Sequence, residues 1–174
     1  MVTRTGRKYR ALMDVTRAQY VEAPDTPSGA GFSIFLAGGI TGTEVWQTDA
    51  FAMLSDLAVT VLNPRRAAFD LNDGTVFDAQ IEWEHRYLHE EPHRVRFVLF
   101  WFPPSPEPGV QQPISMYELG RLVERGTPIE VGASKDYVRR RDVVKQLALS
   151  RPDLTVHPTL EETVAAARRT MFGA

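Results

Sequence analysis

Val95-Arg96-Phe97-Val98-Leu99-Phe100-Trp101-Phe102 is the most apolar run in the chain, and Pro113-Ile114-Ser115-Met116-Tyr117-Glu118-Leu119-Gly120-Arg121-Leu122 follows it across a proline-rich loop. Apart from Arg96, the first run is apolar at every other position and at those between. That is the pattern of a central parallel strand, buried on both faces. The second reads as a helix over Ser115 to Arg125, closed by Gly126. A buried strand, a loop and a helix that carries a carboxylate form the usual edge of a ligand crevice in open α/β sheets. Glu118 lies one turn after Ser115 and one turn before Leu122, so it shares their inward face. Ser115-Met116-Tyr117-Glu118 is also a capping box, in which Glu118 would bond back to the helix's first amide. Thr41–Glu44 and Thr159–Glu162 repeat that pattern. Both readings of Glu118 stand open at this point.

Working outward, the same rhythm of strand and helix recurs. Phe32–Ala37 reads as the first buried strand, ending in Gly38-Gly39-Ile40-Thr41-Gly42-Thr43, with a helix from about Glu44. Trp46, Ala50, Met53, Leu54 and Leu57 give that helix an apolar face. Val59–Leu62 is the second strand, stopped by Asn63-Pro64-Arg65-Arg66. A helix over Val76–Glu90 carries Phe77, Ile81 and Leu88 at helical spacing, with Glu84 where the stripe expects an apolar residue and Gln80 one turn before it. The fourth strand is Pro128–Gly132. A helix follows over Val138–Ser150, with Tyr137, Val144 and Leu147 inward. Leu154–Val156 is the fifth strand, and Thr159–Met171 is the last helix. This alternation implies a flavodoxin-like three-layer α/β sandwich with a five-stranded parallel sheet in the order 2-1-3-4-5. Tyr20–Pro24 offers an added edge strand. Residues 1–31 are read as an arm with that edge strand, and 32–174 as the α/β domain.

The balance of 20 basic and 22 acidic residues, net −2, leaves no footprint for a nucleic-acid polymer or an anionic membrane. The chain has no cysteine, which excludes disulfides and thiolate catalysis. His85 and His89 share a helical face, but Arg86, Glu90 and Glu91 flank them, so a solvated surface is expected there and no metal. No run reaches the length of a membrane span, and no apolar segment follows the basic start, so a cytoplasmic protein is expected.

Chemistry points to the strand ends. A glycine turn before a helix exposes amides suited to phosphate or a sugar hydroxyl. Arg65 sits at the same edge. A carboxylate nucleophile (Glu118), a second carboxylate (Glu84) and amide donors are the parts needed to cleave a glycosidic bond with retention. The two carboxylates are expected to line one pocket with the Gly38–Thr43 turn. Trp46, Trp83 and Trp101 are candidates either for stacking on a base or for the core.

Several segments in order carry a family resemblance: Ile34-Phe35-Leu36-Ala37-Gly38-Gly39-Ile40, Trp46-Gln47, Asn63-Pro64-Arg65-Arg66, Gln80-Ile81-Glu82-Trp83-Glu84, Phe100-Trp101-Phe102-Pro103 and Met116-Tyr117-Glu118-Leu119-Gly120. From about Ser33 to Gln146 the sequence resembles the nucleoside 2-deoxyribosyltransferase-like superfamily, which includes nucleoside 5′-monophosphate N-glycosidases. The resemblance implies that Glu118 is the nucleophile at C1′ and that Glu84, with Glu82 as fallback, assists the nucleobase. It implies a sugar- or phosphate-binding role for Gly38, Gly39 and Thr41, with Trp46, Arg65, Gln80, Ser115 and Tyr117 as further substrate contacts. Phe35 stands where transferases carry an aromatic hydroxyl, leaving that duty to Tyr117 or Tyr87. Gln112 stands where they carry Asp. The implied ligand is a nucleoside or its 5′-monophosphate, without metal or organic cofactor, and the implied assembly is a homo-oligomer. A non-catalytic nucleotide-binding sensor on the same fold is the alternative.

Overall fold

The structure, a computed structural model, describes residues 17–28, 31–66, 73–90, 95–106, 109 and 111–173. Its strands are β1 (Gln19–Glu22), β2 (Ser33–Gly38), β3 (Thr60–Asn63), β4 (Val95–Phe102), β5 (Ile129–Ala133) and β6 (Val156–His157). Its helices are α1 (Gln47–Leu54), α2 (Gly74–His85), α3 (Pro113–Glu124), α4 (Arg140–Ser150) and α5 (Leu160–Phe172). A π-helical turn, Arg86–Glu90, continues α2.

The six strands lie in the order β1-β3-β2-β4-β5-β6, and the pairings are parallel. Without β1 this is the expected 2-1-3-4-5 arrangement. The sixth strand is the N-terminal edge strand, which pairs Gln19 with Thr60 through Glu22 with Asn63. The fold is therefore α/β with flavodoxin-like topology.

The chain clusters into two compact units that interleave in sequence. The first holds the described residues up to Phe35 with those of Leu54–Arg96; the second holds Leu36–Met53 with Phe97–Ala174. In the first unit, the Ala18 amide donates to Ser55 O and the Thr60 amide to Phe32 O, which ties the edge strand and β2 to the β3 region. In the second, β4 pairs with β5 from Val98–Ile129 to Phe102–Ala133. Phe97, Leu99, Phe100 and Phe102 are fully buried, and each contributes about 1.5–3 kcal/mol of apolar burial. The last helix packs on β5 and β6. There the buried Glu130 accepts from Thr170 Oγ1 at 2.7 Å and faces His157 Nε2 at 3.3 Å.

Four helix starts differ from the sequence reading, the first three for a local reason. α1 begins at Gln47, because residues 41–43 form a turn in which Thr43 Oγ1 donates to Ile40 O. Thr41–Glu44 is thus not a capping box. α2 begins earlier, at Gly74, because Asp73 is its N-cap and accepts from the amides of Thr75 and Val76. The Thr75 hydroxyl, which donates to Asp73 Oδ1 at 2.6 Å, and these two amide bonds hold the Asp73 carboxyl below the ordinary carboxylate range. α3 also begins early, at Pro113, with Gln112 as N-cap. Thr159, by contrast, caps α5 as expected, accepting from the Glu162 amide. α3 ends as expected too: Gly126 N donates to Val123 O and Thr127 N to Leu122 O, which is a Schellman closure. α4 begins at Arg140, and its buried residues are Val143 and Leu147, with Val144 only half-buried.

The inward face of α2 is also not the one expected. Phe77 is 43% and Ile81 50% exposed, while Gln80, Trp83, Tyr87 and Leu88 are buried. Two hydrogen bonds set this phase. Gln80 Nε2 donates to Pro64 O at 2.6 Å, and Trp83 Nε1 donates to Asp25 O at 2.9 Å. Burying those polar groups unpaired would cost more than exposing two apolar side chains in part. The π-turn then brings Tyr87 and Leu88 inward together.

Candidate active site

In the second unit, β2 ends in the glycine turn. Gly38 has φ +143°, and a Cβ placed there would lie 1.9 Å from Trp101 O. The Gly39 amide donates to that same Trp101 carbonyl at 3.2 Å. The Gly39 carbonyl accepts from Trp46 Nε1 at 2.8 Å and Gln47 Nε2 at 3.3 Å, both from fully buried side chains. Trp46 therefore holds the turn in shape from beneath. Thr41 is exposed on the rim of the turn.

The side chain of Gln112 fills the space where Gly39 lacks a Cβ; an added Cβ would meet its carboxamide at 2.7–2.9 Å. Gln112 is only 9% exposed, and both of its carboxamide atoms are buried without a hydrogen-bond partner among the described residues. Its backbone is left-handed, with φ 51° and ψ 53°. A residue before proline prefers an extended backbone, so this conformation needs outside support. The support is at Gln111. Its carbonyl accepts from Tyr137 Oη at 2.7 Å, and its side chain accepts from the Arg139 guanidinium at 3.0 and 3.1 Å. Burial pushes the Tyr137 phenol up to about 12, so it stays a donor. Gln112→Gly should relieve both the backbone and the stranded carboxamide. A gain of about 1 kcal/mol is expected after glycine's extra chain entropy. Chemical denaturation checks it, and a loss of stability would refute the account.

The start of α3 at Pro113 removes the capping-box reading of Glu118. The N-cap is Gln112, which makes no side-chain cap bond, and Ser115 lies inside the first turn. Glu118 is then the sixth helical residue and not the capping partner of Ser115. It stands half-buried between Ser115 and Leu122, both buried. Tyr117 is 62% exposed, with the Arg121 guanidinium 5.5 Å from its ring centre.

The first unit holds the other candidates. Asn63 is buried and fastens the turn after β3: its Nδ2 donates to Tyr20 Oη at 2.5 Å and to Arg65 O at 3.0 Å, and its Oδ1 accepts from the Arg65 amide at 2.9 Å. Burial lowers the Arg65 pKa from its ordinary value. On α2, Gln80 Nε2 also donates to Glu84 Oε1 at 2.6 Å. Burial raises the Glu84 carboxyl above the ordinary Glu value, and the Gln80 bond and the Arg66 charge oppose the shift in part. Tyr87 is buried in edge contact with Trp83 at 4.8 Å, and its hydroxyl has no hydrogen-bond partner among the described residues. Of the two tyrosines expected to replace the missing strand hydroxyl, Tyr87 is thus the buried one. Phe35 stacks at a tilt on Trp83, 5.8 Å between centres.

The raised Glu84 pKa has a consequence for stability. The folded state holds this proton more tightly than the unfolded chain. Stability from this group is therefore full below the unfolded pKa and is lost as pH rises through the folded one. Glu84→Gln should leave Tm unchanged near about pH 4 and raise it at about pH 8. Thermal unfolding at both pH values checks this; an equal change at both would contradict it.

A family model described as nucleoside 2-deoxyribosyltransferase like matches residues 31–137, more than half of the 174. The chain belongs to the nucleoside 2-deoxyribosyltransferase-like family. No curated protein matches it. The matched stretch contains the glycine turn, the Asn63-Pro64 turn, α2 with Glu84 and α3 with Glu118. Membership implies a small-molecule nucleoside ligand. Among the described residues no helix is long and apolar enough to cross a membrane, and no group of His, Asp and Glu could hold a metal. His85 lies 3.7 Å from Glu90 and 4.9 Å, ring to ring, from His89.

Within this family frame, sequence reading took Asn63 as a turn former, as found, and missed Gln47 and Gln112 as shape-holding residues. Gln47 stands inside a family segment, which was the available signal. Gln112 gave none, because its anomaly lies in a backbone angle and in a contact with a residue far away in sequence.

Proposed function

We propose that the chain cleaves or transfers the N-glycosidic bond of a (deoxy)nucleoside or its 5′-monophosphate through a covalent glycosyl-Glu118 intermediate. The Glu118 carboxylate attacks C1′ as oxocarbenium character develops there. The C1′–N bond breaks, its electron pair stays on the base nitrogen, and Glu84 supplies the proton that makes the base a neutral leaving group. Water or a second base then attacks C1′ from the opposite face and gives its proton to the Glu84 carboxylate, which restores the acid. Glu118 leaves as carboxylate, so configuration at C1′ is retained overall.

The observation that carries this reading is the placement of Glu118 inside α3. It is not spent on the helix cap, and it sits between buried neighbours within the family-matched stretch. Support for Glu84 as the acid comes from its burial, which keeps the proton on the carboxyl to higher pH. The Gly38-Gly39 turn, with Thr41 on its rim, offers amides for a sugar hydroxyl or phosphate. Arg65, Ser115 and Tyr117 are further contacts in this proposal, and subunits are expected to associate.

Incubation with a panel of nucleosides and monophosphates, with and without an acceptor base, tests the reading. Free base without acceptor marks hydrolysis, and an exchanged nucleoside marks transfer. Ligand-induced thermal stabilisation with no base released would make the chain a sensor and end the catalytic reading.

A further inference from the structure

The carboxamide of Gln80 holds a position that packing alone does not explain. The residue is 8% exposed, and its Nε2 reaches two acceptors, Pro64 O and Glu84 Oε1, both at 2.6 Å. Its own Oε1 is buried and has no hydrogen-bond partner among the described residues. An apolar side chain of similar length would avoid that unmet acceptor. The Pro64 carbonyl settles the orientation of the amide. A carbonyl only accepts, so the atom facing it carries hydrogen and is the nitrogen. A primary amide has two N–H groups, one for each neighbour. Glu84 Oε1 therefore accepts from a donor, which favours the carbonyl-type oxygen there and the acid proton on Oε2.

We propose that Gln80 is a positioning residue that keeps Glu84 Oε1 occupied as an acceptor and so confines the acid proton to Oε2. It rests on the proposed function, in which Glu84 protonates the departing base. The proton then leaves from one defined oxygen of a carboxyl whose rotation is stopped by an anchor on the Asn63-Pro64 turn. The bond breaking at C1′ leaves its electron pair on the base nitrogen, and the Oε2 proton goes to that base. The Gln80 bond to Oε1 persists on both sides of the transfer and strengthens once Glu84 is a carboxylate. Among the described residues the charged group that faces Glu84 is Arg66, in the segment after β3, and it favours the same ionised state.

The test replaces Gln80 in the full chain. Gln80→Met keeps the volume and removes both bonds; Gln80→Asn, one methylene shorter, keeps the polarity but cannot bridge both acceptors. The Glu84 carboxyl carbon is followed by NMR against pH and assigned by its loss in Glu84→Gln. In each Gln80 variant it should titrate at higher pH than in wild type, because a donor to the carboxylate is gone. Base release should fall about tenfold or more in kcat, with KM within about twofold and the basic limb of the pH profile moved to higher pH. An unchanged Glu84 titration in a folded variant overturns the proposal, whatever the activity. A higher titration with unchanged kcat overturns the proton-placing role. Wild type that releases no base overturns the proposed function, and the titration still decides whether Gln80 holds Glu84.

Discussion

Glu118→Gln is expected to fold, to bind nucleoside about as tightly as wild type and to release no base. The substitution keeps the shape of a half-buried side chain in the middle of α3, so stability should stay within about 0.5 kcal/mol. The amide is a poor nucleophile and cannot form a stable glycosyl ester. Loss of base release should be at least about a thousandfold in kcat. Intact-protein mass spectrometry with a slow, fluorinated nucleoside should show a sugar adduct on wild type and none on the variant. A cap would behave otherwise, since glutamine caps nearly as well as glutamate and turnover would survive. Surviving turnover would move the search for the nucleophile to Glu84 or Glu82.

Gly38→Ala should be the most damaging single methyl group in the chain. The φ of +143° is one that side-chain-bearing residues rarely adopt, and the added Cβ would sit 1.9 Å from Trp101 O and 2.9 Å from Trp101 C. Both atoms are strand backbone, which cannot rotate away as a side-chain tip can. The loss should exceed about 4 kcal/mol, a large part of the ~5–15 kcal/mol that holds a domain folded. Tm should fall by about 10 °C or more, or the variant should be recovered unfolded. Gly120→Ala is the control. Nothing lies within 4 Å of a Cβ there, and the residue is inside α3, so alanine should stabilise by up to about 1 kcal/mol. A Gly38→Ala variant within about 3 °C of wild type would mean that the turn is not built as described.

These two glycines show where sequence is informative and where it is not. Both sit in motif-like surroundings, yet one is sterically required and the other is open; only the distance to Trp101 separates them. The strand Val95–Phe102 was legible because two-sided burial demands an unbroken apolar run. The sheet order followed from short parallel connections of one hand. The phase of α2 was not legible, because it depends on where Gln80 and Trp83 find carbonyls, and those carbonyls belong to Pro64 and Asp25. The cap reading of Glu118 turned on two residues of helix start. A left-handed glutamine at Gln112, held through its neighbour by Tyr137 and Arg139, has no local propensity to announce it.

The bond from the Trp46 indole to the Gly39 carbonyl also gives the molecule an optical label. All three tryptophans are buried, so the folded chain should emit at short wavelength, and unfolding shifts that emission to the red. Of the three indoles it is that of Trp46 that donates to the glycine turn. In a chain carrying Trp83→Phe and Trp101→Phe, the remaining fluorophore reads the electric field at Gly39 directly. Occupancy of the turn then becomes a change in colour and lifetime, followed in real time without a labelled substrate.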